Sequence, residues 1–257
     1  MKWILSNEYT NVLARFANAR ALVAFDYDGT LTAIAAARHA VFMPEHTQSL
    51  LAEVAARYPC AVISGRKYGD ILARLGGVDL AYVVGNHGLE PHPKMSTFER
   101  EIASITPELE RALPQHRGID IENKVYSLSI HYRQAKDHAE TRALILEAIT
   151  KLSRPVRTML GKLVVNVLPA DAPHKGDALV ALREQEGAEI AMYVGDDVTD
   201  EDVFAMNDSQ RLLGIRVGHS VDSAAPWYLH DQYEIDALLE RLVSLRAAQF
   251  VVGQPKL

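Results

Sequence analysis

Short, unbroken apolar runs alternate with amphipathic stretches over the first 90 residues of this chain and again beyond residue 173. Ala21–Phe25 (Ala-Leu-Val-Ala-Phe), Cys60–Ile63 and Tyr82–Val84 hold no charged residue, the mark of strands buried on both faces of a parallel sheet. Residues 190–194 and 211–217 predict two further strands. Residues 44–58 place Leu50, Leu51, Val54 and Ala55 on one helical face, with Pro44 suited to the first turn. His174 opens a helix carrying Leu179, Val180 and Leu182. Residues 224–231 read as a loop, and 234–249 as a closing helix bearing Ile235, Leu238, Leu239, Leu242 and Leu245.

Between Pro91 and Asp171 the pattern changes. Residues 96–113 are helical with an interruption at Pro107. Residues 126–133 alternate, with Leu128, Ile130 and Tyr132 on one face and Ser127, Ser129, His131 and Arg133 on the other. That alternation predicts a strand covered on one side only. Residues 137–152 form an amphipathic helix, and 162–168 a strand aligning Lys162, Val164, Asn166 and Leu168. Pro91, Pro93, Pro169 and Pro173 mark linkers. The expected organisation is an α/β core at 1–91 and 172–257, its parallel sheet flanked by helices. A smaller α+β cap, residues 92–171, is inserted in it as a lid.

Composition narrows the partners. Hydrophobic residues make up 48% of the 257, ample for a core, and the formal charge of −6 argues against non-specific nucleic-acid binding. The single Cys60 cannot form an internal disulfide and points to a reducing compartment. No segment approaches the roughly 18 apolar residues of a membrane span. Residues 1–20, broken by Asn7, Glu8, Asn11 and Arg15, lack a signal-peptide core. A cytoplasmic monomer or weak dimer is expected, with no nucleic-acid or membrane partner. The sequon Asn207-Asp208-Ser209 is read as chance.

The candidate chemistry stands at the ends of the apolar runs. The first ends in Asp26-Tyr27-Asp28-Gly29. Residues two apart in an extended chain point to the same side, so both carboxylates converge where open parallel sheets place their ligand crevice. Close carboxylates repel unless a proton or cation lies between them, and Mg²⁺ suits such a site. A calcium loop is a poor fit, because Gly29 falls at position four rather than six and position twelve is Ala37 rather than Glu. The second run ends in Ser64-Gly65-Arg66, a hydroxyl and a guanidinium able to bind an anion. Val62 rules out a nucleophile elbow, which needs glycine there. Gly85-Asn86-His87-Gly88 follows the third run, its glycines allowing close backbone approach.

Lys175, at a helix start, opposes the helix dipole. Its position makes sense if it neutralises Asp26 together with a bound phosphate. Residues 196–202 hold five acids in seven positions directly behind a buried run. There they read as metal ligands and the carboxylates that support them. Nucleophilic aspartate, metal, lysine and hydroxyl are together the components of phosphoryl transfer.

The order of these motifs resembles that of the haloacid-dehalogenase-like superfamily over most of 21–90 and 174–203. The finer resemblance is to its trehalose-6-phosphate phosphatases. It rests on Phe25-Asp26-Tyr27-Asp28-Gly29-Thr30-Leu31-Thr32, Ile63-Ser64-Gly65-Arg66, Gly85-Asn86-His87-Gly88-Leu89-Glu90, Ser127-Leu128-Ser129-Ile130-His131-Tyr132-Arg133 and Val194-Gly195-Asp196-Asp197-Val198-Thr199-Asp200-Glu201-Asp202. The resemblance implies a Rossmann-like core with a cap, Asp26 as nucleophile and Asp28 as general acid, then base. It implies Mg²⁺ on Asp26, the backbone oxygen of Asp28 and Asp196, with Asp197 and Asp200 nearby. Ser64 and Lys175 would hold the phosphoryl group. Gly65, Arg66, Asn86, His87, Lys124, His131, Arg133, Lys162 and Asn166 would line the sugar side. Where the family carries a sugar-binding Glu followed by Arg, this chain has Asn166 and Leu168.

Other readings stay open. A phosphoacceptor signalling domain uses a similar aspartate, hydroxyl and lysine set, though it needs neither an acid at Asp28 nor an insert. A non-catalytic sugar-phosphate sensor would have no use for the Asp26/Asp28 pair. A sugar phosphomutase would release no free phosphate. A phosphatase for a sucrose- or glucosylglycerol-type phosphate would differ on the sugar side alone.

Overall fold

The unbroken apolar runs become strands of a seven-stranded sheet, though Tyr82–Val84, expected to be buried on both faces, forms an edge strand in which only Val84 is fully buried. Strands β1 (Lys2–Trp3), β2 (Ala21–Phe25), β3 (Cys60–Ile63) and β4 (Tyr82–Val84) come before residue 91. A further four, β5 (Asp120–Asn123), β6 (Leu128–His131), β7 (Val156–Gly161) and β8 (Val164–Pro169), form a separate antiparallel sheet in the order β5-β6-β8-β7. Then β9 (Ile190–Gly195), β10 (Leu212–Val217) and β11 (Trp227–Leu229) complete the first sheet, in the order β1-β11-β10-β9-β2-β3-β4, all parallel. This computed structural model describes residues 1–34, 42–113, 118–206 and 208–252. Ala37 and Asn207 lie outside the described residues.

Every residue of β2 is buried, because successive side chains enter opposite layers. Val23 and Phe25 join Val62, Val194 and Ile215 under helices α1 (Thr10–Asn18), α2 (Glu45–Ala55) and α8 (Glu234–Val252). Ile71 of the short α3 (Tyr68–Arg74) reaches the same layer. Leu22 and Ala24 join Ala61, Ala191 and Tyr193 on the other face. There they meet Leu179 and Leu182 of α6 (Lys175–Gln185) and Val203 and Phe204 of α7 (Glu201–Phe204). Full burial on both faces explains why these strands read as apolar runs rather than alternations.

Over the second sheet, α4 (Met95–Ala112) and α5 (His138–Thr150) cover one face. Ile102, Ile105, Leu109, Ile145 and Ile149 pack there on Leu128, Ile130, Val165 and Val167. Several expectations change. Helix α4 runs through Pro107 without a break. Its buried stripe, Phe98, Ile102, Ile105 and Leu109, holds both halves to the sheet and offsets the backbone hydrogen bond that proline forfeits. Residues 227–229, expected in a loop, pair between β10 and β1. Lys162 is not in the strand but exposed in the β7–β8 turn. The polar face predicted for residues 127–133 is only partly solvated: Ser127 and Ser129 are buried, with Asn166 beside them on β8, while His131 is half-buried and Arg133 exposed. Among the described residues, no helix is long and apolar enough to cross a membrane.

Candidate active site

Strand β2 delivers Asp26 to the α6 side of the sheet, where its side chain is 7% exposed. Lys175, the first residue of α6, places its Nζ 3.1 Å from Asp26 Oδ1 and donates to Asp200 Oδ1 at 2.7 Å. It is 1% exposed. His174 caps the helix and forms a reciprocal capping box with Asp177, which anchors the segment presenting Lys175. Burial alone would lower the Lys175 pKa, but the Asp200 and Asp26 carboxylates outweigh it and raise it.

Asp200 is wholly buried and fully engaged. Tyr193 on β9 donates its hydroxyl to Oδ1 at 2.6 Å, and the Asp197 amide donates to Oδ2 at 2.9 Å. Asp197 caps the short helical turn 198–200 in return. Asp26, Asp196 and Asp200 each bring a carboxylate oxygen within 4.8 Å of the others. Burial pushes the Asp26 carboxyl upward in pKa, Lys175 opposing it and Asp200 and Asp28 adding to it; burial, then the Asp26, Asp200 and Asp197 charges, push Asp196 upward as well. Asp196 Oδ1 is buried without a hydrogen-bond partner. A crowded carboxylate set with an orphaned oxygen is what a hard cation resolves, so these residues fit a metal. Asp197, engaged in the cap, is not part of this set.

Gly29 allows the approach of β2 and β9 ends. Its φ of +84° favours glycine, and a Cβ there would come within 2.2 Å of Asp196 Oδ2. Phe25 pairs with Val62, so Ser64, just past β3 and fully buried, stands beside the Asp26 turn. Gly65 lies under the His87 ring, which a Cβ would meet at 2.5 Å.

Arg66 is placed differently from expectation. Instead of facing a sugar, it grips Asp28 side-on, with Nε 2.7 Å from Oδ2 and NH2 2.6 Å from Oδ1. Lys124 extends from beyond β5 to donate to Gly65 O at 2.8 Å. Ser127 donates its hydroxyl to Asn86 Oδ1. These contacts bring the second sheet against the catalytic strand ends. Asn166 Oδ1 accepts from Ser129 Oγ at 2.6 Å across β6 and β8. His131 pairs with Glu122 at 3.1 Å on the same sheet. Arg133 and Lys162 are exposed. Tyr193 and Asp70, both bonded to site residues, were not singled out from the sequence. Tyr193 is disguised as one more large residue in a buried strand.

An open parallel sheet usually leaves its crevice to solvent and ligand. Here the aspartate at the end of β2 is countered by a buried lysine at the start of α6, beside the acidic end of the neighbouring β9, and that defines the haloacid-dehalogenase-like class. Residues 24–232 match the family model described as trehalose-phosphatase, and the chain belongs to that family. A probable trehalose-phosphate phosphatase of Oryza sativa is 28% identical over 92% of this chain and 70% of its own. A Mycobacterium tuberculosis protein described as an uncharacterized glycosyl hydrolase is 31% identical over 91% of this chain. The chain spans only 19% of that protein's length. Among solved structures, the C-terminal domain of C. albicans trehalose-6-phosphate phosphatase superposes with a TM-score of 0.74, covering 93% of this chain and 96% of that one at 21% identity. The sucrose-phosphatase of Synechocystis superposes with a TM-score of 0.58 at 18% identity, covering 88% and 98%.

Proposed function

We propose that this protein hydrolyses trehalose 6-phosphate to trehalose and phosphate through an aspartyl-phosphate on Asp26. The observation that carries the reading is the buried Asp26–Lys175 contact at the end of β2, in a chain whose family match over 24–232 spans the whole second sheet and most of the first. Asp26 attacks phosphorus while the bond to the sugar oxygen breaks, and Asp28 gives that oxygen its proton. Asp28 then takes a proton from water as the water attacks the phosphoenzyme, releasing phosphate and restoring Asp26. Lys175 and the Ser64 hydroxyl stabilise charge on the transferring oxygens.

Asp26 and Asp196, with Asp200 beside them, would hold Mg²⁺, which would supply further stabilisation of the phosphoryl charge. Activity is expected to disappear in EDTA and return with Mg²⁺. Asp196→Ala is expected to raise the Mg²⁺ concentration needed for half-maximal rate by at least about tenfold, read from a metal titration. Asp28→Asn is expected to keep substrate affinity and to lower kcat about 10²–10⁴-fold, the usual worth of a positioned acid–base group.

The second sheet, within residues 92–171, acts as the cap that meets the sugar. Its buried Ser127, Ser129 and Asn166 face the catalytic layer, and hydrogen bonds to sugar hydroxyls there give strong discrimination. A second reading, another glycosyl phosphate, is favoured by one feature. Asn166 is neutral and already bonded to Ser129, and Leu168 is fully buried with Leu89 and Phe98 rather than open to a ligand. Comparing kcat/KM across trehalose, sucrose, glucosylglycerol and glucose phosphates decides between them. Trehalose 6-phosphate ranking below glucose 6-phosphate would overturn the proposal.

A further inference from the structure

Arg66 divides its guanidinium between two carboxylates. Its Nε–NH2 edge meets Asp28, and NH1 lies 2.8 Å from Asp70 Oδ2. Arg74, one turn further along α3, donates Nε to Asp70 Oδ1 at 2.9 Å. Charges therefore alternate along the row Asp28, Arg66, Asp70, Arg74. The two arginine side chains are 11% and 6% exposed, against 41% and 40% for the aspartates. The Tyr27 ring closes one side of Arg66, 5.8 Å from its central carbon.

We infer that Asp70 is a positioning residue for the reaction. It fixes the plane of the Arg66 fork and, through it, the orientation of the Asp28 carboxylate. The inference rests on the reading of Asp28 as acid and base. A guanidinium is planar, so anchoring NH1 on one carboxylate sets the direction of the opposite edge. Asp70 lies in the first turn of α3, where a negative charge is favoured, and it is four residues from both arginines. Arg74, buried by its packing, occupies the other Asp70 oxygen and keeps that carboxylate from rotating. Asp70 contacts neither Asp26 nor the acidic set at β9, so its influence on the reaction runs through Arg66. Proton transfer requires the donor within about 2.6–3.2 Å of its target, and an error of about 1 Å in placement can cost about 10²-fold.

The test compares two substrates with the intact protein. The sugar oxygen of trehalose 6-phosphate needs a proton to leave, whereas the phenolate of p-nitrophenyl phosphate leaves as an anion. Rapid-quench single turnovers measure the rate of phosphoenzyme formation from each. Asp70→Asn is expected to slow formation from the sugar phosphate about tenfold, with KM unchanged, and to leave formation from the aryl phosphate at the wild-type rate. Asp70→Glu, which restores a carboxylate, is expected to recover most of the loss. Arg66→Lys is expected to slow formation from the sugar phosphate at least as much, because an ammonium cannot grip two oxygens side-on. Equal losses on both substrates, or a change confined to KM, would overturn the inference. A wild-type protein that forms no phosphoenzyme from either substrate would overturn the functional reading itself, a result distinct from both.

Discussion

Asp26→Asn is expected to abolish phosphate release while leaving the protein folded. The carboxylate oxygen is the attacking atom in the proposed route, and an amide in its place is a far weaker nucleophile. Losing a nucleophile typically lowers turnover by about 10⁴-fold or more. The fold has no reason to suffer. Asp26 is one of three carboxylates crowded within 4.8 Å, so its neutralisation relieves repulsion on Asp196 and Asp200. Lys175 keeps its 2.7 Å partner in Asp200. The asparagine fills the same space, and Tm should stay level or rise. A phosphate-release assay beside thermal denaturation checks both halves. Retention of a tenth of wild-type turnover would exclude the covalent route.

The residues of this site that were readable from sequence are those that break a pattern. Asp26 ends an apolar run, Lys175 opposes a helix dipole, and Asp196 follows a strand with no other polar explanation. Residues that complete a pattern stayed hidden. Tyr193 sits inside a buried strand, and its hydroxyl matters only because Asp200 folds back to meet it. An acidic run cannot by itself sort ligands from caps. The helical turn at 198–200 buries Asp200, where Lys175, Tyr193 and the Asp197 amide engage it, and places Asp197 at the turn's N-cap. Arg66 was visible as an anion binder, but its anion is Asp28 of the same chain, 38 residues away.

The same limits apply to the fold. Strands β2, β3 and β9 carry their burial in their composition, whereas the equally apolar β4 is an edge strand with only Val84 fully buried. Strands β1 and β11 are two and three residues long, too short to show a period. The polar face of β6 looked solvated because alternation reports only one packed side. What covers the other side is a layer far away in sequence, through Lys124, Ser127 and Gly65.

Lys175→Met is expected to damage both stability and turnover, and the two losses can be separated. The ammonium is 1% exposed between Asp26 and Asp200. Removing one partner of a buried charge pair leaves the other uncompensated, at a cost of about 3–5 kcal/mol. In a chain of this size that corresponds to a fall in Tm on the order of 10 °C. In the proposed route turnover loses in addition the cation that stabilises charge on the transferring oxygens, worth roughly 10²–10³-fold where such donors have been removed. Asp200→Asn in the same chain separates the effects. It neutralises the carboxylate that Lys175 was holding, and its amide can keep both contacts, the oxygen accepting from the Asp197 N–H and the NH2 donating to the Tyr193 hydroxyl. The double variant should therefore recover most of the lost Tm, a favourable coupling of the kind contacting residues show. It should not recover kcat, because nothing replaces the positive charge beside Asp26. Recovery of both would confine Lys175 to holding Asp200 in place and remove it from the chemistry.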